Sequence, residues 1–275
     1  MQSLPFRRRR GVIRLPLREV HATLRWVTDD VFGQDGYRLR LEWGEQGLAA
    51  LAANCAVLVI VDVLSFTTAV DVALDRGGRV LPVRNRDFRT LSSARAAGAV
   101  VAGDQKWTLR PSSLLDLPSG TLFALPSPNG ATLCAQAAAT DATVFAACLR
   151  NAESVAREVE KIADGRPIGI GPAGERWGVT DGPLRPGIED LLGAGAVAAA
   201  LLSTNSSSAS PETKLAASCF SHEIENVGEL LRGCASGREL SAAGHAADVE
   251  LAAAVGSSSC APVLRDGVLT NRLSS

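Results

Sequence analysis

From residue 56 onwards the sequence repeats one pattern: a short apolar run, a turn of glycine or polar residues, and an alanine-rich segment with helical spacing. The apolar runs predict strands over residues 56–61, 79–83, 99–102, 121–125, 143–147 and 168–170. The intervening segments predict helices over residues 67–75, 86–97, 130–139 and 152–163. Such alternation is typical of an α/β fold. We predict a three-layer α/β/α arrangement with a mostly parallel or mixed sheet flanked by helices, built as one body or as two α/β lobes.

Two segments outside this pattern set the predicted domain organisation. Residues 1–16 contain four consecutive arginines at positions 7–10 and lack the apolar core of a signal peptide, so we predict a flexible basic tail. We assign residues 17–275 to the α/β domain. Five of the eight residues at 203–210 are serine, which predicts a lobe boundary or a linker near residues 203–211.

The charge balance gives no reason to expect a nucleic-acid partner. The chain has 28 Lys and Arg against 29 Asp and Glu, a formal net charge of -1, whereas binding to a phosphate backbone needs a basic surface. Without the arginines at 7–10, the rest of the chain carries 24 basic and 29 acidic residues, a net charge of -5. An acidic protein binds an anion more readily when a cation offsets the repulsion.

The sequence predicts neither a membrane span nor a disulfide framework. The longest nearly apolar stretch, residues 47–61, contains Asn54 and ends before Asp62, so it is shorter than the roughly 18 residues that a bilayer helix needs. The six cysteines include no CxxC pair, and a chain of this length does not need disulfides for stability. We therefore expect a cytoplasmic protein with reduced thiols and no membrane contact.

Polar residues follow most of the predicted strands at the point where each strand ends. Ligands of open α/β sheets bind beyond the carboxyl ends of the strands, and several carboxylates with hydroxyl groups and helix N-termini suit a hard divalent cation and an anionic substrate. Each residue also has a purely structural interpretation, such as a helix cap or a turn. The candidates are Asp62, Thr67, Thr68, Asp104, Asn129, Gly130, Arg150, Asn151, Glu189 and Asp190.

In chain order, the motifs at these strand ends resemble those of the 2-phosphosulfolactate phosphatase (ComB-like) family. The motifs are IVDVLSFTTAV at 60–70, SPNGAT at 127–132, RNA at 150–152, AGE at 173–175 and ED at 189–190. The resemblance implies a ComB-like α/β fold and a magnesium-dependent phosphatase that releases phosphate from 2-phosphosulfolactate, a small anionic acid. It also implies a homodimer or a higher homo-oligomer.

The resemblance and the chemistry of the side chains together assign roles to the candidates. The predicted catalytic residues are Asp62, Asp104 and Glu189, which with Asp190 are also the predicted Mg²⁺ ligands. The predicted substrate-binding residues are Thr67, Thr68, Asn129, Gly130, Arg150 and Asn151. The nucleophile is either Asp62 itself or a water activated by the metal ion.

Two departures from the family pattern lead to an alternative hypothesis. Ser65 stands where family members usually have arginine, and Asp104 stands where glutamate is usual. Losing one charged contact to a dianion in a desolvated site costs about 2–5 kcal/mol, which is enough to change the substrate preference. The alternative is a catalytically degenerate family member that binds an anionic metabolite or a partner without turnover.

Overall fold

The computed structural model describes residues 31–84, 87–178, 182–204 and 208–274. It confirms an α/β fold with a mixed sheet of nine strands flanked by helices. The predicted tail at residues 1–16 lies outside the described residues. The strands of the main sheet are β1 (Leu39–Leu41), β2 (Val57–Val61), β3 (Arg79–Val83), β4 (Val100–Val101), β5 (Leu122–Pro126), β6 (Thr143–Ala147), β7 (Ile168–Pro172), β10 (Pro262–Arg265) and β11 (Val268–Asn271). A separate two-stranded hairpin consists of β8 (Glu175–Arg176) and β9 (Leu184–Arg185).

The main sheet consists of two groups of parallel strands joined by an antiparallel hairpin. Its strand order is β1-β7-β2-β6-β10-β11-β3-β5-β4. The first four strands pair in parallel, as do the last three. The β10–β11 hairpin is antiparallel within itself and to both β6 and β3, to each of which it pairs at one position. Because three successive antiparallel junctions reverse the strand direction, the two parallel groups run in opposite senses.

Helices connect the parallel strands at the positions that the sequence pattern predicts. The helix predicted over residues 86–97 begins at Phe88, because the Asp87 side chain accepts a hydrogen bond from Thr90 N at 3.0 Å and caps the helix. The helices are α1 (Gly44–Ala52), α2 (Phe66–Asp75), α3 (Phe88–Ala96), α4 (Gly130–Ala137), α5 (Ala152–Ala163), α6 (Ile188–Thr204), α7 (Pro211–Glu223), α8 (Val227–Gly233), α9 (Ala235–Ala242) and α10 (Ala246–Ala252). Short 3₁₀ turns lie at Pro111–Leu114, Ile224–Asn226 and Arg272–Ser274.

Both faces of β2 are buried, which accounts for its uninterrupted apolar sequence. Val57, Val59 and Val61 pack into one hydrophobic core, and Leu58 and Ile60 pack into a second core on the opposite face. Successive side chains of a strand point to opposite faces of the sheet, and a central parallel strand therefore needs apolar residues at every position. The predicted three-layer arrangement follows from these two cores.

Two glycines allow α6 to lie close to its neighbours. A Cβ atom at Gly193 would lie 2.5 Å from Val63 Cγ2, and one at Gly195 would lie 2.3 Å from the Ala216 carbonyl oxygen. Neither position has room for a larger residue, so α6 lies directly against the chain that follows β2 and against α7. This packing places the first turn of α6 beside the carboxyl end of β2.

None of the helices in the described part of the chain has the length and apolar character that crossing a membrane requires. All six cysteines are free thiols, and Cys219 is the one that is not fully buried. The serine-rich segment predicted as a boundary lies between α6 and α7, with residues 205–207 outside the description. Ala209 forms a parallel bridge with Leu39 of β1.

Candidate active site

Asp62 is the first residue after β2, and its carboxylate is held by backbone groups of two different loops. Its Oδ2 accepts a hydrogen bond from Gly130 N at 2.7 Å and a longer one from Ser127 Oγ at 3.4 Å. Its Oδ1 lies 3.4 Å from Phe66 N, at the start of α2. Asp62 is 5% exposed. The fold therefore fixes this carboxylate rather than leaving it free to rotate.

Gly130 is required where the loop after β5 meets the loop after β2. A Cβ atom at this position would lie 2.4 Å from Phe66 Cδ1 and 2.7 Å from Asp62 Oδ2. Any larger residue would displace the backbone N–H that binds Asp62. The two parallel groups of strands run in opposite senses, yet this contact joins the carboxyl end of β2 to the carboxyl end of β5. The sequence-based prediction of Asp62 and Gly130 in one site requires such a contact.

The first turn of α6 supplies two more buried carboxylates. Asp190 accepts hydrogen bonds from Val63 N at 2.7 Å and from Gly174 N at 2.8 Å, so it links the chain after β2 to the chain after β7. Glu189 Oε1 accepts a hydrogen bond from Ser236 Oγ at 2.5 Å. Glu189 Oε2 is buried and has no hydrogen-bond partner among the described residues.

Burial and neighbouring negative charges raise the pKa values of three acids at this site. Burial raises the pKa of Asp62 to about 6, and the charge of Glu189 adds to this effect, although hydrogen bonds from Gly130, Phe66 and Ser127 oppose it. Burial followed by the charge of Asp62 raises the pKa of Glu175 to about 7. Burial and the charges of Asp62 and Glu189 raise the pKa of Asp190 well above its ordinary value. Asp62, Glu175 and Asp190 are therefore harder to ionise than ordinary carboxyl groups, because they are buried close to other negative charges.

A cleft of about 550 Å³ is lined by two of these acids, Asp62 and Glu175. Asn129 Nδ2 donates a hydrogen bond to Glu175 Oε2 at 3.1 Å and fixes the orientation of that carboxylate at the wall of the cleft. The residues lining the cleft include Asp62, Ser65, Asn129, Glu175, Arg185 and Ser236. This volume suits a small organic acid.

Asp104, predicted as a catalytic and metal-binding residue, does not join the cluster. Both of its carboxylate oxygens accept hydrogen bonds from the Arg95 guanidinium at 2.6 Å. This contact lowers the pKa of Asp104, and the side chain is substantially exposed. The reason lies in the topology: β4, which precedes Asp104, is the outermost strand of the sheet.

Thr67 and Thr68, predicted as hydrogen-bond donors to the substrate, are fully buried. The Thr67 hydroxyl donates to the Asp62 carbonyl oxygen, and the Thr68 hydroxyl donates to the Val63 carbonyl oxygen, each at 2.7 Å. Because each hydroxyl has a single proton, neither has one left to donate to a substrate. The two threonines instead hold the turn that presents Asp62.

Arg150 and Asn151, also predicted to bind substrate, are buried behind the cleft. Arg150 Nε donates to Asp71 Oδ2 at 2.7 Å, and its Nη1 donates to the Leu251 carbonyl oxygen at 3.3 Å. Asn151 Oδ1 accepts a hydrogen bond from Cys148 N at 2.9 Å. Neither residue lines the cleft. Their position after β6 was predictable, but the direction of their side chains was not.

Sequence analysis assigned no catalytic, metal-binding or substrate-binding role to Glu175, Arg185 or Ser236. Glu175 lies within the AGE motif directly after β7, so its position at a strand end was a usable signal. Arg185 lies in a segment rich in proline and glycine that predicts only a loop, and Ser236 lies at the start of α9. Neither residue has a pattern in the sequence that links it to the strand ends.

The fold and the cleft define an α/β protein whose candidate site is built from buried carboxylates at the ends of its strands. A comparison with protein-family models matches residues 46–267 to 2-phosphosulpholactate phosphatase. The chain belongs to this family, as its motifs predict. A search of curated proteins found no match.

Proposed function

We propose that this protein is a magnesium-dependent phosphatase that hydrolyses a small anionic phosphomonoester, either 2-phosphosulfolactate or a related phospho-organic acid. The observation that carries the proposal is the acidic cluster of Asp62 and Glu175, which line the cleft, with the buried Glu189 and Asp190, in a chain that belongs to this family. A phosphate ester would be repelled by these charges unless a cation offset them.

The donor chemistry of the cluster fits a magnesium ion. Mg²⁺ is commonly held by one or two carboxylates together with waters and substrate phosphate. Within the described ranges no three His, Cys, Asp or Glu residues form a ready set of ligands. A site with one or two protein carboxylates does not need such a set. We assign Glu189, whose buried Oε2 has no hydrogen-bond partner among the described residues, as the carboxylate that would hold the ion. The bound ion would offset the negative charge of the phosphate.

The carboxylates of the cleft suit proton transfer during hydrolysis. Asp62 is fixed by Gly130 and, with a pKa of about 6, is largely ionised at neutral pH. It accepts the proton of the attacking water as the bond to phosphorus forms. Glu175, with a pKa of about 7, is partly protonated at the same pH. It donates its proton to the oxygen of the departing alcohol as the ester bond breaks.

The proposal is tested by assaying phosphate release from a panel of phosphorylated three-carbon acids, including 2-phosphosulfolactate. We expect release in the presence of Mg²⁺ and its loss when a chelator is added. A folded protein that binds Mg²⁺ but releases no phosphate from any member of the panel would contradict the proposal. Calorimetric binding of these esters without turnover would instead support the catalytically degenerate alternative.

A second prediction concerns the stability of the metal-free protein, which we expect to fall as the pH rises from 4 to 8. The raised pKa values of Asp62, Glu175 and Asp190 mean that the folded state binds these protons more tightly than the unfolded state. The resulting stabilisation is complete below the unfolded pKa, near 4, and is lost as the pH passes 6 to 7. For Asp62, a pKa raised from 3.8 to about 6 corresponds to about 3 kcal/mol.

This loss is measured as a fall in melting temperature in the presence of a chelator, and we expect Mg²⁺ to reverse much of it at pH 8. Glu189→Gln should raise the melting temperature of the metal-free protein at pH 8 and weaken the effect of Mg²⁺. Asp104→Asn is the matched control, because its carboxylate is exposed and bound to Arg95. An equal Mg²⁺ effect in both variants would remove Glu189 from the metal site.

A further inference from the structure

The lining of the cleft includes an arginine, Arg185, to which sequence analysis assigned no role. It lies on the hairpin of β8 and β9, which forms one wall of the cleft.

The hairpin contributes both of its arginines to the lining of the cleft, and its register places Arg185 on the same face as Glu175. Arg185 pairs directly with Glu175, and Arg176 pairs with Leu184. Directly opposed residues of two strands lie on the same face, and successive residues lie on opposite faces. Arg185 therefore shares a face with Glu175, and both residues line the cleft. Arg176 also lines the cleft, but it is paired with Glu45, to which its Nη2 donates a hydrogen bond at 2.6 Å.

Neighbouring side chains hold the guanidinium of Arg185 in place without neutralising its charge. Its guanidinium Cζ lies 5.8 Å from the centre of the Trp177 ring, and its Nη2 lies 3.5 Å from Ser236 Oγ. Within the part of the chain that the structure describes, it forms no ion pair, in contrast to Arg176. A guanidinium against an aromatic ring keeps its donors available in one plane, which suits two parallel hydrogen bonds to a carboxylate or sulfonate.

Asp62, Glu175 and Arg185 all line the same cleft. A substrate whose phosphate is held near Asp62 can therefore extend the rest of its structure along the wall of the cleft towards Arg185.

We propose that Arg185 binds the second anionic group of the substrate, a carboxylate or a sulfonate. The identity of the phosphate end rests on the proposed function; the anion site at Arg185 rests on the hairpin. The substrate class that follows is a phosphomonoester with at least one further anionic group, rather than a simple alkyl or aryl phosphate.

The test compares Arg185→Ala and Arg185→Lys with a matched control, Arg89→Ala, which removes the same charge from an exposed position on α3. The probes are 3-sulfolactate, which has a carboxylate and a sulfonate but no phosphate, and inorganic phosphate, both measured by calorimetry with Mg²⁺ present. We expect Arg185→Ala to weaken 3-sulfolactate binding by about 30-fold or more and phosphate binding by less than about threefold. Arg185→Lys should recover part of the affinity, because an ammonium keeps the charge but not the paired donors.

Turnover gives the second readout. Arg185→Ala should lower kcat/KM for 2-phosphosulfolactate and leave kcat/KM for an aryl phosphate nearly unchanged. The proposal is overturned if both probes weaken together, if neither weakens, or if the unaltered protein does not bind 3-sulfolactate. A protein that binds 3-sulfolactate through Arg185 but hydrolyses no ester would contradict only the proposed function. If the protein hydrolyses esters and Arg185→Ala keeps the same preference for 2-phosphosulfolactate over an aryl phosphate, only the inference on Arg185 is contradicted.

Discussion

Asp62→Asn should lower kcat for phosphate release by about 10³-fold while leaving the protein folded. The amide has nearly the shape of the carboxylate and retains one oxygen to accept the hydrogen bond from Gly130 N, which is 2.7 Å from Asp62 Oδ2. It cannot accept the proton of the attacking water, and positioned proton transfer contributes roughly 10²- to 10⁴-fold to catalysis. The substitution also removes a buried negative charge that is close to the acids Glu189 and Asp190. Because this relieves the repulsion between like charges, the metal-free protein should not lose stability at neutral pH.

Asp104→Asn is the control for this experiment and decides between the sequence-based and the structural description of the site. Asp62→Asn and Asp104→Asn both replace an aspartate that follows a strand. We expect Asp104→Asn to keep nearly full activity, since its carboxylate binds Arg95 at the outer edge of the sheet. If Asp104→Asn loses as much activity as Asp62→Asn, the assignment of the active site to the cluster around Asp62 is contradicted. The measurement is steady-state phosphate release with saturating Mg²⁺.

The second large effect is on stability: Arg150→Ala should reduce the free energy of unfolding by about 3–5 kcal/mol. Asp71 is fully buried, and its carboxylate binds Arg150 Nε at 2.7 Å and Ser258 Oγ at 2.7 Å. Burial already raises the pKa of Asp71, despite the opposing hydrogen bonds from Ser258 and Arg150. Without the guanidinium, the protein has to bury an unpaired carboxylate or protonate it.

Urea denaturation of the metal-free protein measures this loss, and Arg157→Ala provides the comparison. Arg157 lies on α5 with a half-exposed side chain that pairs with Glu153 at 3.8 Å, so its removal should cost less than about 0.5 kcal/mol. We expect the folded fraction of Arg150→Ala to retain its KM. A raised KM with unchanged stability would instead restore Arg150 as a residue that binds substrate.

The sequence was sufficient to predict the position of Asp62 because the rules that apply there are local. Five consecutive apolar residues in β2 predict a strand buried on both faces, and the first polar residue after such a strand lies at its carboxyl end. The same reasoning places Glu189 and Asp190 in the first turn of α6. The structure brings these three residues together with Gly130, and the predicted helices lie where their spacing indicates.

The remaining candidates show what cannot be predicted from the position of a residue at the end of a strand. This position places Asp104 along the chain but does not give the position of β4 at the edge of the sheet, which depends on long-range pairing. It places Thr67 and Arg150 after strands but does not give the direction of their side chains, which is set by the Asp62 carbonyl oxygen and by Asp71. The hairpin that contributes Arg185 has strands of only two residues each, too short for periodicity to reveal.

The β10–β11 hairpin has a consequence for the order in which the protein folds during synthesis. Strands β1, β7, β2 and β6 are all complete once residue 172 has left the ribosome, and these strands can pair with one another. The group of β3, β5 and β4 is translated earlier still, but among the described residues the sheet joins the two groups through residues 262–271 alone. Until the ribosome releases this segment, the nascent chain exposes the edges of β6 and β3, each open to pairing with another chain.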